Sequence, residues 1–379
     1  MVNKIPNFPV GYHAYHNDKY MNFQFNRWVS LGYTRLEEMK EIAPRIRDYN
    51  DWKNEMIQLA EKVKTENRLL NAAFYYRAAE FFTDPTDQDK ISLYDKFIEL
   101  FNHSIKNSKV ERFSIPYEDG CLLAIRLSPK ESRGTIIIHG GFDSFMEEFY
   151  NMACYLRDNG YEVILFEGPG QGAALRRHNL TLTYEWEKPV STVLDFFNLE
   201  NITLIGISLG GYLCLRAAAF EPRIARVVAL GILYHFPLKN GLIYYLLMRI
   251  IMKKRNARSF INNSAQKRIR TDLAAQWGIN QGMFITGTKT PYDYVTYMWQ
   301  LSAENLHSSH IKQDVLLLHG EKDHFVPLRL YYKQKKALIK AKSVTGRIFT
   351  KKEQAQNHCQ IGNVKLVLDY ILQWIEKKS

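Results

Sequence analysis

Cysteine is scarce: four residues in 379, Cys121, Cys154, Cys214 and Cys359, lie far apart and form no CxxC pair. That spacing excludes a disulfide framework and a thiolate metal knuckle, and it fits a reducing, cytoplasmic setting. Long hydrophobic runs are missing too. The longest, Leu242 to Met252, is interrupted by Arg249 and falls short of the roughly 20 residues a membrane-spanning helix needs. The first residues, MVNKIPNFPVGYH, lack the basic-then-apolar pattern of a secretory leader. Repeats and low-complexity tracts are absent. With 46% hydrophobic and 24% charged residues, the composition is globular rather than disordered, collagenous or coiled-coil.

Acidic residues are the minority charge, 39 against 51 Lys and Arg, for a net +12. Net charge bears on association rather than fold, so its distribution decides what it means. The basic stretches Lys253 to Arg258 and Lys333 to Lys342 are short, and the second is broken by Ala337, Leu338 and Ile339. Neither comes with a zinc-finger, bZIP or RRM signature. They read as solvated faces, and no nucleic-acid partner is expected. Leu242 to Arg258 runs from apolar to basic, which leaves contact with a membrane surface open but not stable insertion.

At about 150 residues per domain the length allows roughly two to three domains. Residues 1–106 read as an all-helical leading domain. Thr34 and Glu37 have capping-box spacing, and Leu69, Leu70, Ala73, Tyr76, Ala79 and Phe82 recur at helical intervals. Pro85 then breaks the chain before a second periodic stretch, Ile91, Tyr94, Phe97, Ile98 and Phe101. The aromatics Phe74, Tyr75, Tyr76, Phe81 and Phe82 are expected in the core, since helical spacing alone explains them.

Residues 107–379 change period. Val110 to Tyr117 and Cys121 to Leu127 alternate like a hairpin turning at Glu118 to Gly120. Short continuous apolar runs follow, at 135–138, 162–166, 202–205, 227–230 and 315–318, separated by helical segments. Such runs suit strands covered on both faces, so the second domain is expected to be α/β with a mostly parallel sheet. The alternation stops between about residues 236 and 308. That interval is too long for a connection and has helical pattern of its own, so it reads as a helical lid inserted over the sheet's edge.

The sharpest motif is Gly206-Ile207-Ser208-Leu209-Gly210-Gly211, between an apolar strand and a helical run. Glycines flanking a serine at a strand-to-helix turn let the chain bend sharply and hold the hydroxyl proud of the sheet, which marks Ser208 as a nucleophile. A serine needs a base, and the base needs an orienting carboxylate. In the order Ser, acid, His, Asp323 follows the strand at 315–318 and His358 follows a last strand near Arg347 to Phe349. Eleven histidines compete. His139 and His319 sit at strand ends before glycine and read as structural. His324, beside the acid, is the main rival, and chain order favours His358. Asp314 precedes its strand and would fall at the wrong end of the sheet. Two backbone amides are expected to face a developing oxyanion: that of Leu209, and that of Gly141 or Phe142 in the loop His139 to Asp143.

These residues resemble an α/β-hydrolase. More narrowly, three stretches are similar to the branch with an N-terminal helical domain: GGFDS (Gly140 to Ser144) with Glu147 and Glu148, FEGPGQG (Phe166 to Gly172), and NHCQ (Asn357 to Gln360). That branch includes dihydroxypseudooxynicotine hydrolase, fungal polyketide-shortening hydrolases, the fermentation-respiration switch protein and acylaminoacyl-peptidase-like proteins. The resemblance implies a Ser208, Asp323, His358 triad and a substrate chamber between the helical domain and the sheet. It also implies an auxiliary acid at Asp143, where the carbon–carbon hydrolase of the branch has a longer Glu. Glu167, standing where Asp is usual before Gly-Pro-Gly, reads as structural.

The expectation is therefore a serine hydrolase of the esterase or acylaminoacyl-peptidase-like kind, acting on a small ester or activated amide without metal or organic cofactor. Carbon–carbon cleavage next to a ketone and a non-catalytic regulatory protein on the same fold are the alternatives. The expected partner is a small-molecule substrate, with a homodimer left open.

Overall fold

The computed structural model describes residues 7–378. The leading segment forms helices at Lys19–Ser30, Leu36–Ile42, Tyr49–Thr65, Leu69–Phe82 and Asp89–Ser104. Asp18 and Asp48 start the first and third, each carboxylate accepting two of the free amides of a first turn. The capping box expected at Thr34 and Glu37 does not form. Tyr33 and Thr34 both donate their amides to Trp28 O, which buries Thr34, leaves its Oγ1 without a partner, and starts the next helix at Leu36 behind an uncapped Arg35. A capping box does form at Thr350 and Glu353.

Helix Leu69–Phe82 is buried on every side from Ala72 onward, Arg77 and Glu80 included. It packs between Tyr49–Thr65 and Asp89–Ser104. The leading helices share one continuous hydrophobic core with a face of the sheet, where Ile136, Ile138, Val163, Leu165, Ile205 and Leu316 point. The opposite face, with Ile137, Ile164, Leu204, Val227 and Leu317, packs a second core. The alternation follows from strand geometry.

Eight strands build one sheet: β1 (Glu111–Tyr117), β2 (Gly120–Leu127), β3 (Thr135–His139), β4 (Glu162–Phe166), β5 (Ile202–Ile207), β6 (Ile224–Leu230), β7 (Asp314–Gly320) and β8 (Ser343–Phe349). Their order is β1-β2-β4-β3-β5-β6-β7-β8. β2 runs antiparallel to both neighbours, and the pairs from β4 to β8 are parallel. The expected α/β class with a mostly parallel sheet is the observed one. From β3 the chain moves to one side to form β4 and then to the other to form β5. The crevice beyond the C-terminal ends of β3 and β5 is therefore the switch point at which open sheets of this kind hold ligands.

The insertion between β6 and β7 forms helices Leu242–Met252, Ala257–Thr271, Leu273–Thr286, Pro291–Met298 and Ala303–Leu306. It does not lie over the sheet's edge. β6 and β7 are neighbours with β8 outside them, so the insertion rises from within the sheet, after the C-terminal end of β6. Two bonds tie it to the leading helices: Trp277 Nε1–H donates to Phe81 O at 2.7 Å, and Asn280 donates to Asp84 at 2.7 Å.

Candidate active site

Ser208 follows β5 with a φ of +64°, in the left-handed region that a serine enters only when its surroundings enforce it. The enforcement is steric and hydrogen-bonded. Ser208 N–H donates to Leu230 O at 2.7 Å. A Cβ on Gly206 would lie 2.0 Å from Gly210 O, and one on Gly210 would lie 2.6 Å from Gly140 O, so only glycine fits on either side of the turn.

Oγ of Ser208 lies 2.8 Å from His358 Nε2, and His358 Nδ1–H donates to Asp323 Oδ2 at 2.7 Å. The other Asp323 oxygen accepts the amides of Phe325 and Val326, both at 2.8 Å, which fixes the carboxylate plane. Both side chains are buried. Burial by itself would raise the Asp323 pKa, but the facing imidazole outweighs it and the carboxyl sits below its usual range. Burial would likewise lower His358, yet the Asp323 carboxylate, helped by Cys359, raises it above the ordinary imidazole value.

The rival histidines stay outside this relay. His324 lies half-buried between Phe23 and Phe325, its Nε2 without a partner among the described residues, and loss of solvation lowers it to about 4. His139 is lowered to about 4 for the same reason and lies 2.9 Å from Gly140 O through Nδ1. His319 is buried, and neither ring nitrogen has a hydrogen-bond partner among the described residues. Asp314 opens β7, at the end of the strand away from this crevice, and pairs with Ser343 and Lys342.

The amides expected to face an oxyanion can be narrowed. Gly141 N–H is committed to Ser144 Oγ at 3.1 Å, whereas the amides of Phe142 and Leu209 donate to no acceptor among the described residues. Gln171 Nε2 holds the carbonyls of Gly140 and Gly141 at 2.9 and 3.3 Å. A Cβ on Gly141 would lie 2.5 Å from Leu209 N, so the two loops touch where these amides sit. Glu167 braces the same region by accepting from Ala173 N and Met146 N, and burial raises it to about 7.

Asp143 is not brought to the serine. Its φ is +49° and its carboxylate turns away into a fully buried ion cluster, 3.0 Å from Arg176 and 3.5 Å from Arg77. Burial would raise its pKa, but the two guanidiniums outweigh that and keep it ionised. A carboxylate so held has no proton to give, so the geometry does not suit the auxiliary-acid role that the resemblance implied. The cluster continues through Glu148, Glu80 and Lys90 to Arg27. With Arg27, Arg77, Arg176 and Lys90 set against Glu80, Asp143 and Glu148, one cation is in excess. The sequence analysis passed over this network. Its signal was a charged pair, Arg77 and Glu80, in the otherwise apolar run Ala72 to Phe82.

A cavity of about 280 Å³ opens on Ser208 and His358. Phe23, Arg27 and Leu31 wall it from the leading helices, Phe142 and Leu209 from the loops, and Phe236, Trp277 and Tyr294 from the insertion. Phe81 and Phe82 are buried in the core, as expected of them, and also line the cavity. They end their helix where Trp277 stacks on Phe81 at 4.7 Å. Phe74, Tyr75 and Tyr76 are core as expected. Arg27 and Lys239 are charged members of the lining, and no carboxylate of the described residues belongs to it.

A sequence model described as "alpha/beta hydrolase fold" matches residues 136–353. Among curated proteins, the chain is 30% identical to hydrolase LUC6 of Fusarium sp, over 81% of this chain and 83% of that one. It is 29% identical to 20-hydroxy-prefusarin hydrolase FUS2 of Gibberella moniliformis over the same shares, and 29% identical to hydrolase acrC of Aspergillus aculeatus over 66% of each chain. Among solved structures, 2,6-dihydroxy-pseudo-oxynicotine hydrolase superposes with a TM-score of 0.63 at 20% identity, covering 92% of this chain and 94% of that one. AbyA5 gives 0.68 at 17%, covering 90% of each. The sheet order, the serine turn and these matches together place the chain in the α/β-hydrolase family, with the fungal hydrolase LUC6 as a relative and the fold shared with 2,6-dihydroxy-pseudo-oxynicotine hydrolase.

Proposed function

We propose that the protein is a serine hydrolase of small, largely apolar carbonyl compounds, working in a reducing cytoplasm on esters or activated amides. The observation that carries this is the unbroken line Ser208, His358, Asp323, with contacts of 2.8 and 2.7 Å, opening on an apolar chamber. His358 Nε2 takes the Ser208 proton as Oγ bonds the substrate carbonyl carbon. The oxyanion rests on the Leu209 and Phe142 amides, and the Asp323 carboxylate stabilises the imidazolium. Nε2 then protonates the leaving group, and water, deprotonated by the same nitrogen, releases the acyl group from Oγ. Three side chains, two backbone amides and water take part in these steps.

Carbon–carbon cleavage beside a ketone is the second reading. In it the imidazolium formed when His358 takes the Ser208 proton would protonate the carbanion leaving group, a task left to it because Asp143 is held in its ion cluster.

The test is labelling with a fluorophosphonate, followed by a panel of acyl esters, aminoacyl anilides and β-diketones. Wild type should label at Ser208, and Ser208→Ala and His358→Ala should not. Folded wild type that fails to label refutes the hydrolase and leaves a regulatory protein on this fold. Turnover of diketones alone selects the second reading.

A further inference from the structure

The excess positive charge is not spread over the surface, as short basic stretches had suggested. Residues 242–271, the helices Leu242–Met252 and Ala257–Thr271 of the insertion, hold eight of the 51 basic residues and none of the 39 acidic ones. Two thirds of the net +12 therefore falls in 30 residues. Arg258 is paired with Asp293 and Arg268 with Asp272. Lys253, Lys254, Arg255, Lys267 and Arg270 form no ion pair among the described residues.

The same segment exposes its apolar side chains. On the first helix Leu242, Ile243, Leu246, Leu247 and Ile250 are between 46% and 77% exposed. Their spacing of i, i+1, i+4, i+5 and i+8 puts all five on one side, with Met248 buried on the other. Phe260, on the second helix, is 55% exposed. Large aliphatic side chains in that density on a surface mark a site of interaction.

We propose that this segment docks in the headgroup layer of a membrane that contains anionic lipid. The aliphatic face of the first helix would enter the acyl boundary while the surrounding cations meet lipid phosphates and carboxylates. Charge and apolarity together select this occupant. A two-fold contact with a second copy would set the same cationic patch against itself. A nucleic acid would satisfy the cations but offer nothing to five exposed aliphatic side chains. At 11 residues the helix is too short to span, and no helix among the described residues is long and apolar enough to do so, so the helix lies in the plane of the surface. Phe236 and Lys239 before the segment and Ala274 and Trp277 after it line the chamber. A docked protein would hold its chamber wall next to the lipid phase, where apolar substrates collect.

Co-sedimentation of the full chain with vesicles tests this independently of any catalysis. Phosphatidylcholine vesicles containing about one-third phosphatidylserine should bind at least roughly tenfold more protein than phosphatidylcholine alone. Salt of about 0.5 M should release it, since exposed charges are then screened. Leu246→Glu with Leu247→Glu, and separately Lys253→Glu, Lys254→Glu and Arg255→Glu combined, should abolish binding while the thermal melt stays in place. Absent binding, or equal binding to both vesicles, overturns the proposal. So does a wild-type dimer that the leucine variant converts to monomer, or duplex DNA that displaces the vesicles.

Discussion

Gly141→Ala is the most informative single change, because glycine is required there by space alone. Its φ is not in the left-handed region, so alanine meets no backbone strain. The added methyl, however, would lie 2.5 Å from Leu209 N, 2.6 Å from Gly210 N and 2.8 Å from Leu209 Cβ. Carbon–nitrogen contact needs about 3.5 Å, and two of the three atoms are backbone, so the clash can be relieved only by parting the loops that carry the Phe142 and Leu209 amides. Losing one oxyanion donor costs about 2.7–4 kcal/mol, a factor of roughly 10²–10³ in kcat, and losing both costs on the order of 10⁴ or more. KM should change little, because these donors act mainly on the transition state. Steady-state kinetics on an activated ester, with a thermal melt to show that the fold survives, reads this directly. A folded Gly141→Ala protein whose kcat stays within about threefold of wild type would show that the oxyanion does not bind between these loops.

Three further outcomes follow from the same geometry. His358 is raised above the ordinary imidazole value, and the base must be neutral to accept the Ser208 proton. kcat/KM on a neutral ester should therefore climb with pH along a limb above about 6.5. In Asp323→Asn the burial remains but the raising charge is gone, so the limb should move to lower pH while kcat falls on the order of 10⁴; a limb that stays in place would contradict the assignment. Arg77→Met removes the one guanidinium that reaches Glu148, Glu80 and Asp143 together and leaves Glu148 to Arg27 alone, so it should cost about 3–5 kcal/mol of stability in denaturant unfolding, whereas a surface change would cost almost nothing. Trp277→Ala removes the 2.7 Å bond to Phe81 O and the stack on its ring, so amide exchange across Leu273–Thr286 should speed up while that of β5 and β7 is unchanged.

Much of this arrangement was legible before any coordinates. Continuous Ile, Val and Leu runs marked β3, β4, β5, β6 and β7, because a strand covered on both faces has no polar positions to spare. Ser208, Asp323 and His358 could be picked by turn chemistry and chain order. The readings that failed were those that depended on what lies across a gap in sequence. The Thr34 box lost to amides already bound to Trp28 O. Asp143 was turned from the serine by Arg77 and Arg176.

By itself, the sequence determined the class of fold, the strand-turn-helix that presents Ser208 and the order of its partners, since these follow from local periodicity and from glycine at a turn. Tertiary structure alone decided where the insertion rises, which amides lack an acceptor beside Ser208, and that the Asp143 carboxylate is locked in an ion cluster. Strand order, shared hydrogen-bond partners and buried charge are set by contacts between segments that local pattern does not register.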